Sequence, residues 1–201
     1  VIGFLEKIMS PIGANLQAVL RRIERAAEAA GRNPREIRLL AVSKTWPAQA
    51  VEAAHRAGQH AFGESQQQEG CSKIAALADL GLEWHFIGPL QSNKTRPIAE
   101  RFAWVHSIDR EKVAYRLSEQ RPAAFHPLMA CIQVNVSGEA SKSGVPPEGA
   151  LALARQVAGL PNIRLRGLMT VPAPSSEAIG QQAQFRQLRR LFEEIRAHGI
   201  E

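Results

Sequence analysis

Leu39-Leu40-Ala41-Val42-Ser43-Lys44-Thr45-Trp46-Pro47, residues 39–47, is an apolar run that ends on a lysine and breaks at a proline. Residues 37–42 are almost continuously apolar, as expected of a parallel strand covered on both faces, and 47–57 read as the helix that follows. That is one βα unit, and the alternation repeats on its C-terminal side. A strand at 60–62 precedes a helix over 65–80, and a strand at 84–87 precedes a helix beginning near Gln91 or Ser92. A strand at 104–108 leads to a helix at Asp109, whose carboxylate is expected to cap the backbone, with Val113, Ala114 and Leu117 as the buried stripe. Strand 128–136 is followed by helix 147–158. Strand 163–169 is followed by a helix over 177–198 with Phe185, Leu188, Leu191, Phe192 and Ile195 inward. Ahead of all of these, Ser10-Pro11 reads as a helix start. Ile12, Leu16, Val19, Leu20, Ile23 and Ala27 recur at helical spacing after it, and Gly31 closes the helix.

Six βα units fit either an open doubly wound sheet or most of a barrel. Two features favour the barrel. Polar residues gather at the C-terminal ends of many strands (Lys44, Ser65, His85, Ser107, Asn135 and Met169-Thr170) rather than at one switch point. The fifth strand also alternates Cys131, Gln133, Asn135 against Ile132, Val134, Val136, which suits a barrel mouth, although a polar edge strand has the same pattern. The expected fold is therefore α/β, a parallel (β/α)8 TIM-type barrel of which about six βα units are present. Residues 1–201 are read as one barrel domain lacking its last two strands.

Composition narrows the function. At 201 residues, 45% apolar and 22% charged, the chain is an ordinary soluble globule, with no apolar run near the ~20 residues a membrane span requires. The first ten residues contain Gly3, Glu6 and Lys7 and make a poor signal peptide, so a cytoplasmic address is expected. Cys71 and Cys131 form no framework and suit a reduced compartment. The net charge of +6 comes from arginines interleaved with glutamates on helix faces, without the aromatic interleaving of nucleic-acid binders, which points to a small anionic ligand instead.

The dinucleotide, Walker, zincin and nucleophile-elbow motifs are all missing from the sequence. His85 and His106 end adjacent strands, and satisfied barrel histidines explain them better than a metal site. Lys44 is the sharpest position. At the end of a buried strand an ammonium faces low dielectric, which favours the neutral amine needed for imine formation.

Ala41-Val42-Ser43-Lys44-Thr45-x-Pro47 resembles the cofactor-lysine motif of the pyridoxal phosphate homeostasis protein family, barrel-only relatives of alanine racemase. Further matches follow in order: Phe62-Gly63-Glu64 with Gln68-Glu69, then Trp84-His85-Phe86-Ile87-Gly88-x-Leu90-Gln91-x-Asn93-Lys94. Later come Gln133-Val134-Asn135, Ser141-Lys142-x-Gly144 and Arg166-Gly167-Leu168-Met169. The resemblance spans about residues 12–200. It implies a monomeric or weakly associating cytosolic protein that holds pyridoxal 5′-phosphate (PLP) as an imine on Lys44. Such a protein takes part in vitamin B6 homeostasis, delivering the cofactor to apo PLP-dependent enzymes, with no established reaction of its own. It further implies that Val42 and Met169 pack near the pyridine ring and that His85 and Asn135 sit at the mouth. Lys142 is then a candidate second amine for cofactor in transit. Where the family has Asn after Gly-Glu, this chain has Ser65, which keeps a hydroxyl but loses the amide's paired donor and acceptor. The family's phosphate-binding and pyridine-binding segments on two further strands do not occur before Glu201, so an empty or partly occupied cofactor site is expected. The alternatives are a racemase or decarboxylase of the same barrel type and a scaffold that has lost the cofactor. The enzyme reading requires a catalytic tyrosine from a second domain, whereas Tyr115 alone is present, inside a predicted helix.

Overall fold

The computed structural model describes residues 2–139, 142–172 and 178–200, with side chains from residue 11 onward apart from 178 and 179. The chain divides into two compact units, Val1–Trp84 and His85–Glu201.

In the first unit, α1 (Ile2–Ala29) packs on α2 (Ala48–Arg56), burying Leu16, Ala27 and Val51. Strand β1 (Ala41–Val42) pairs in parallel with β2 (Ala61–Glu64), and α3 (Gln67–Ala76) follows β2. At the entrance to β2 the carbonyl of His60 accepts from the N–H of Glu83, the first residue of β3 (Glu83–Phe86). Phe62 is buried against Trp84, with ring centroids 5.8 Å apart. A side chain of this size contributes roughly 1.5–3 kcal/mol on full burial.

In the second unit β3 pairs with β4 (Trp104–Ile108), β4 with β5 (Leu128–Gln133) and β5 with β6 (Ile163–Met169), all parallel and in chain order. The intervening helices are α4 (Thr95–Arg101), α5 (Glu111–Gln120) and α6 (Ala150–Ala158), and α7 (Ala178–Ala197) follows β6. Val105, Ile108, Leu128 and Ile132 from the sheet meet Val113 and Leu117 from α5 in a fully buried core.

Several expectations are corrected. The first helix begins at Ile2 and carries Pro11 inside it, so Ser10-Pro11 is not its start. Proline there forfeits one backbone hydrogen bond, and a helix of 28 residues absorbs that loss locally. Val19 and Leu20, on the same helix, are exposed. The strand expected over 37–42 is reduced to Ala41–Val42, which among the described residues of the first unit pairs with β2 alone, and Val42 is 49% exposed. Asp109 does not cap α5: the N-cap is Arg110, with no side-chain cap bond, and Asp109 Oδ1 instead accepts from the Arg110 guanidinium at 2.6 Å. Phe185 is half exposed, whereas Leu191 and Ile195 carry the buried contact of α7. The fifth strand ends at Gln133, and beyond it Val134 makes a single bridge to Val145. Ser141, the expected helix start at Glu177, and Glu201 lie outside the described residues.

Candidate functional site

Lys44 leaves β1 between two residues that are held from below. Ser43 is buried, its N–H donates to the Gly63 carbonyl at 3.0 Å, and its hydroxyl donates to Glu64 Oε1 at 2.6 Å. Thr45 donates its N–H to Glu69 Oε1 at 2.7 Å. Between these carboxylates lies Lys73 of α3, whose Nζ donates to the Ser43 carbonyl, Glu64 Oε1 and Glu69 Oε1, each at 2.7 Å. Glu64 is fully buried and its Oε2 has no hydrogen-bond partner, which makes this a costly arrangement to break. The hydrogen bond from Lys73 holds the Glu69 carboxyl below the usual carboxylate range, against an opposing push from burial. Thr45 sits at φ 67°, a left-handed conformation that a β-branched residue adopts at a cost on the order of 1–3 kcal/mol. The side chain of Lys44 is exposed, so the dry surroundings expected of it are not there.

In the second unit, His85 of β3 and His106 of β4 meet, with Nδ1 of His85 2.8 Å from Nε2 of His106, so that one ring donates to the other. Trp104 stacks on His85 at 5.3 Å between ring centroids. Burial, and secondarily the like charge of His85, push His106 down to about 4. Among the described residues no group of three or more His, Cys, Asp or Glu is placed to hold a metal. Burial likewise pushes the Cys131 thiol up to about 11, which leaves it protonated and unreactive at neutral pH.

Past β5 the chain forms a loop organised by Asn135. Its Nδ2 donates to the carbonyls of Glu139 at 2.9 Å and Lys142 at 3.3 Å. Its Oδ1 accepts from the Ser137 hydroxyl at 3.1 Å and the Gly138 N–H at 3.2 Å. Gln133 Nε2 donates to the Ser143 carbonyl at 2.9 Å, and the chain then returns so closely that a Cβ on Gly144 would lie 2.6 Å from the Asn135 nitrogen. The loop walls a cavity of about 220 Å³ lined by Ile87, Pro89, Gln133, Asn135, Lys142 and Val171, among others. Among the described residues the buried Nζ of Lys142 has no hydrogen-bond partner, its ion pair with Glu139 being a long 3.6 Å. An amine so placed suits an anionic group.

The profile of the family described as "Alanine racemase, N-terminal domain" matches residues 14–201. The pyridoxal phosphate homeostasis protein of Pseudomonas aeruginosa is 61% identical over 184 residues, which are 92% of this chain and 80% of that protein. This chain belongs to the pyridoxal phosphate homeostasis protein family. PipY of Synechococcus elongatus, solved with PLP bound, is 36% identical with a TM-score of 0.76 over 88% of this chain and 82% of that one. Alanine racemase from Corynebacterium glutamicum is 20% identical with a TM-score of 0.70 over 98% of this chain and 52% of its own, which shows a shared fold alone. The expected fold class is thus borne out as the α/β type of the alanine racemase N-terminal domain, with parallel strands alternating with helices.

For a member of the homeostasis protein family the expected residues fall as follows. In the first unit Lys44 and Val42 stand exposed at the end of β1, and Ser65 is half-buried just past β2. In the second unit His85 is buried in the histidine pair, and Asn135 spends its amide on its own loop. Met169 closes β6, where its carbonyl accepts from the Val134 N–H at 2.8 Å. Lys73 lies on a helix, away from the strand ends at which the chemistry is expected. The available signal was Glu69 four residues ahead of it on a helix, spacing that puts the two side chains on one face.

Proposed function

We propose that the protein binds pyridoxal 5′-phosphate covalently through Lys44, buffers it as a monomer in the cytoplasm, hands it to apo enzymes that depend on it, and catalyses no reaction of its own. The observation that carries this reading is the contrast between two lysines at the β1 turn. All three Nζ donors of Lys73 are taken by Ser43, Glu64 and Glu69, whereas the amine of Lys44 is open to solvent. A reachable primary amine on a fixed backbone fits an aldehyde cofactor. When bound, PLP supplies the aldehyde carbon that condenses with the amine, with loss of water.

The rest of the reading concerns this chain's own groups. Ser43 and Thr45 hold Lys44 in place, and Val42 and Met169 keep the ring-packing assignment that the resemblance gives them. Ser65 and His85 keep a place in the cofactor site, while Asn135 acts by shaping its loop. Lys142 is a second amine for cofactor in transit. That relatives carry the name of homeostasis proteins, and that PipY is solved with PLP bound, supports a carrier over a racemase. No helix among the described residues is long and apolar enough to cross a membrane. Residues 1–201 are read as belonging to one barrel domain, in keeping with a family profile that runs through both compact units.

The test is borohydride trapping with PLP followed by intact mass and peptide mapping. The adduct is expected on Lys44 and should vanish in Lys44→Ala, whose melting temperature should be nearly unchanged because the side chain is exposed. An undiminished adduct on another lysine in that variant would overturn the assignment.

A further inference from the structure

We propose that Glu69 and Lys73 are positioning residues for Lys44, setting the amine's reactivity through the backbone on either side of it. The inference rests on the reading of Lys44 as the attachment point and adds to it the machinery that aims the side chain.

Three facts converge. First, the ties to Glu69 and Lys73 fall on the peptide groups that flank Lys44. The Ser43 carbonyl accepts from Lys73 and the Thr45 N–H donates to Glu69 Oε1, both at 2.7 Å. Second, the residue immediately after Lys44 is in the left-handed region at φ 67°, which a threonine does not hold unless its surroundings enforce it. The Thr45 N–H anchored on a carboxylate is such an enforcement, and a charged acceptor makes it stronger than a neutral one. Third, Lys73 is buried beside a fully buried Glu64 and has no donor left for a ligand, so its ammonium serves the protein's own geometry. Lys73 and Glu69 therefore act on Lys44 without touching what it binds. With the turn released, Thr45 relaxes to negative φ and the Cα–Cβ vector of Lys44 swings with it. The base of the side chain is then no longer aimed by the backbone on either side of it.

Glu69 is the position to test, because it is partly exposed, with its side chain at 25%, and its replacement leaves the buried Lys73–Glu64 pair in place. In Glu69→Ala the Thr45 amide should exchange with deuterium at least about tenfold faster, and PLP should form its borohydride-trappable adduct on Lys44 at least about tenfold more slowly, with the fold retained by circular dichroism. Glu69→Gln keeps an acceptor oxygen and should restore both to within about threefold of the unaltered protein. Exchange at Thr45 is read without any cofactor. Unchanged exchange in Glu69→Ala, or faster exchange with an unchanged rate of adduct formation, overturns the positioning role while leaving Lys44 as the attachment point. Absence of any adduct on Lys44 in the unaltered protein overturns both readings together.

Discussion

His106 offers a stability measurement that isolates one buried contact. The group titrates at about 4 in the folded chain against an ordinary 6.5, because burial disfavours its charged form and His85 repels it. Between these two values the unfolded chain binds the proton and the folded chain does not, so stability rises with pH across the window. The contribution is fully present above about 6.5 and is lost as the pH falls toward 4. At roughly 1.4 kcal/mol per tenfold change in proton affinity, the full loss is about 3 kcal/mol, of which about 2 is already lost at pH 5. The perturbation is His106→Gln, which keeps a polar atom near the Nε2 position but does not titrate. Urea unfolding of both proteins from pH 7.5 to 5 should show the unaltered chain losing about 2 kcal/mol more than the variant, since the carboxylates common to both cancel. Parallel pH dependences, within about 0.5 kcal/mol, would show that the histidine pair takes up a proton freely in the folded state and would refute the reasoning.

Gly144→Ala should cost more than about 2 kcal/mol, seen as a melting temperature lower by about 5 °C or more, because φ is 131° and the added Cβ meets the Asn135 backbone. Gly138→Ala, at φ 70° with open space around it, is the control and should cost about 1 kcal/mol, so equal losses would contradict the close-packed return of the loop. With PLP supplied, the protein should racemise alanine no faster than free cofactor does. Tyr115→Phe should change nothing, since that phenol is 54% exposed on α5; turnover that fell in the variant would reinstate an enzyme.

Strands β4 and β6 lie at 104–108 and 163–169 as the sequence pattern predicts, because Val105 and Ile108 of the one and Ile163 and Leu165 of the other are buried in a real core. Residues 37–40 have the same apolar pattern without the same outcome. Periodicity reports what a segment is able to bury, not whether a neighbour is there to bury it against. The same gap explains Phe185, which has helical spacing but is half exposed, and Lys44, which is exposed where a buried strand end is expected. The histidine pair was half legible: adjacent strand ends put His85 and His106 within reach, but a 2.8 Å contact and a displaced titration depend on tertiary packing. The burial of Lys73 was illegible for a different reason. Lysine is ordinarily a solvated helix residue, and beyond its i, i+4 partner Glu69 the carbonyl of Ser43 and the carboxylate of Glu64, neither of them neighbours in sequence, draw it inside.

Asn135 reads its loop through main-chain atoms almost entirely: two carbonyls, one N–H, and a single hydroxyl from Ser137. A loop whose shape is written into the amides of Asn135 and Gln133 and into its own backbone places its demands on those two residues and on Gly138 and Gly144. Glu139 contributes its carbonyl to the turn and its carboxylate to a long ion pair with Lys142, whose own carbonyl serves the fold while its amine lines the cavity. Shape and chemistry are thereby inherited separately. Exchange of residue 142 would change the charge of the cavity and leave the Asn135 hydrogen bonds in place, whereas Asn135→Asp would remove both donors at once and take the architecture with it.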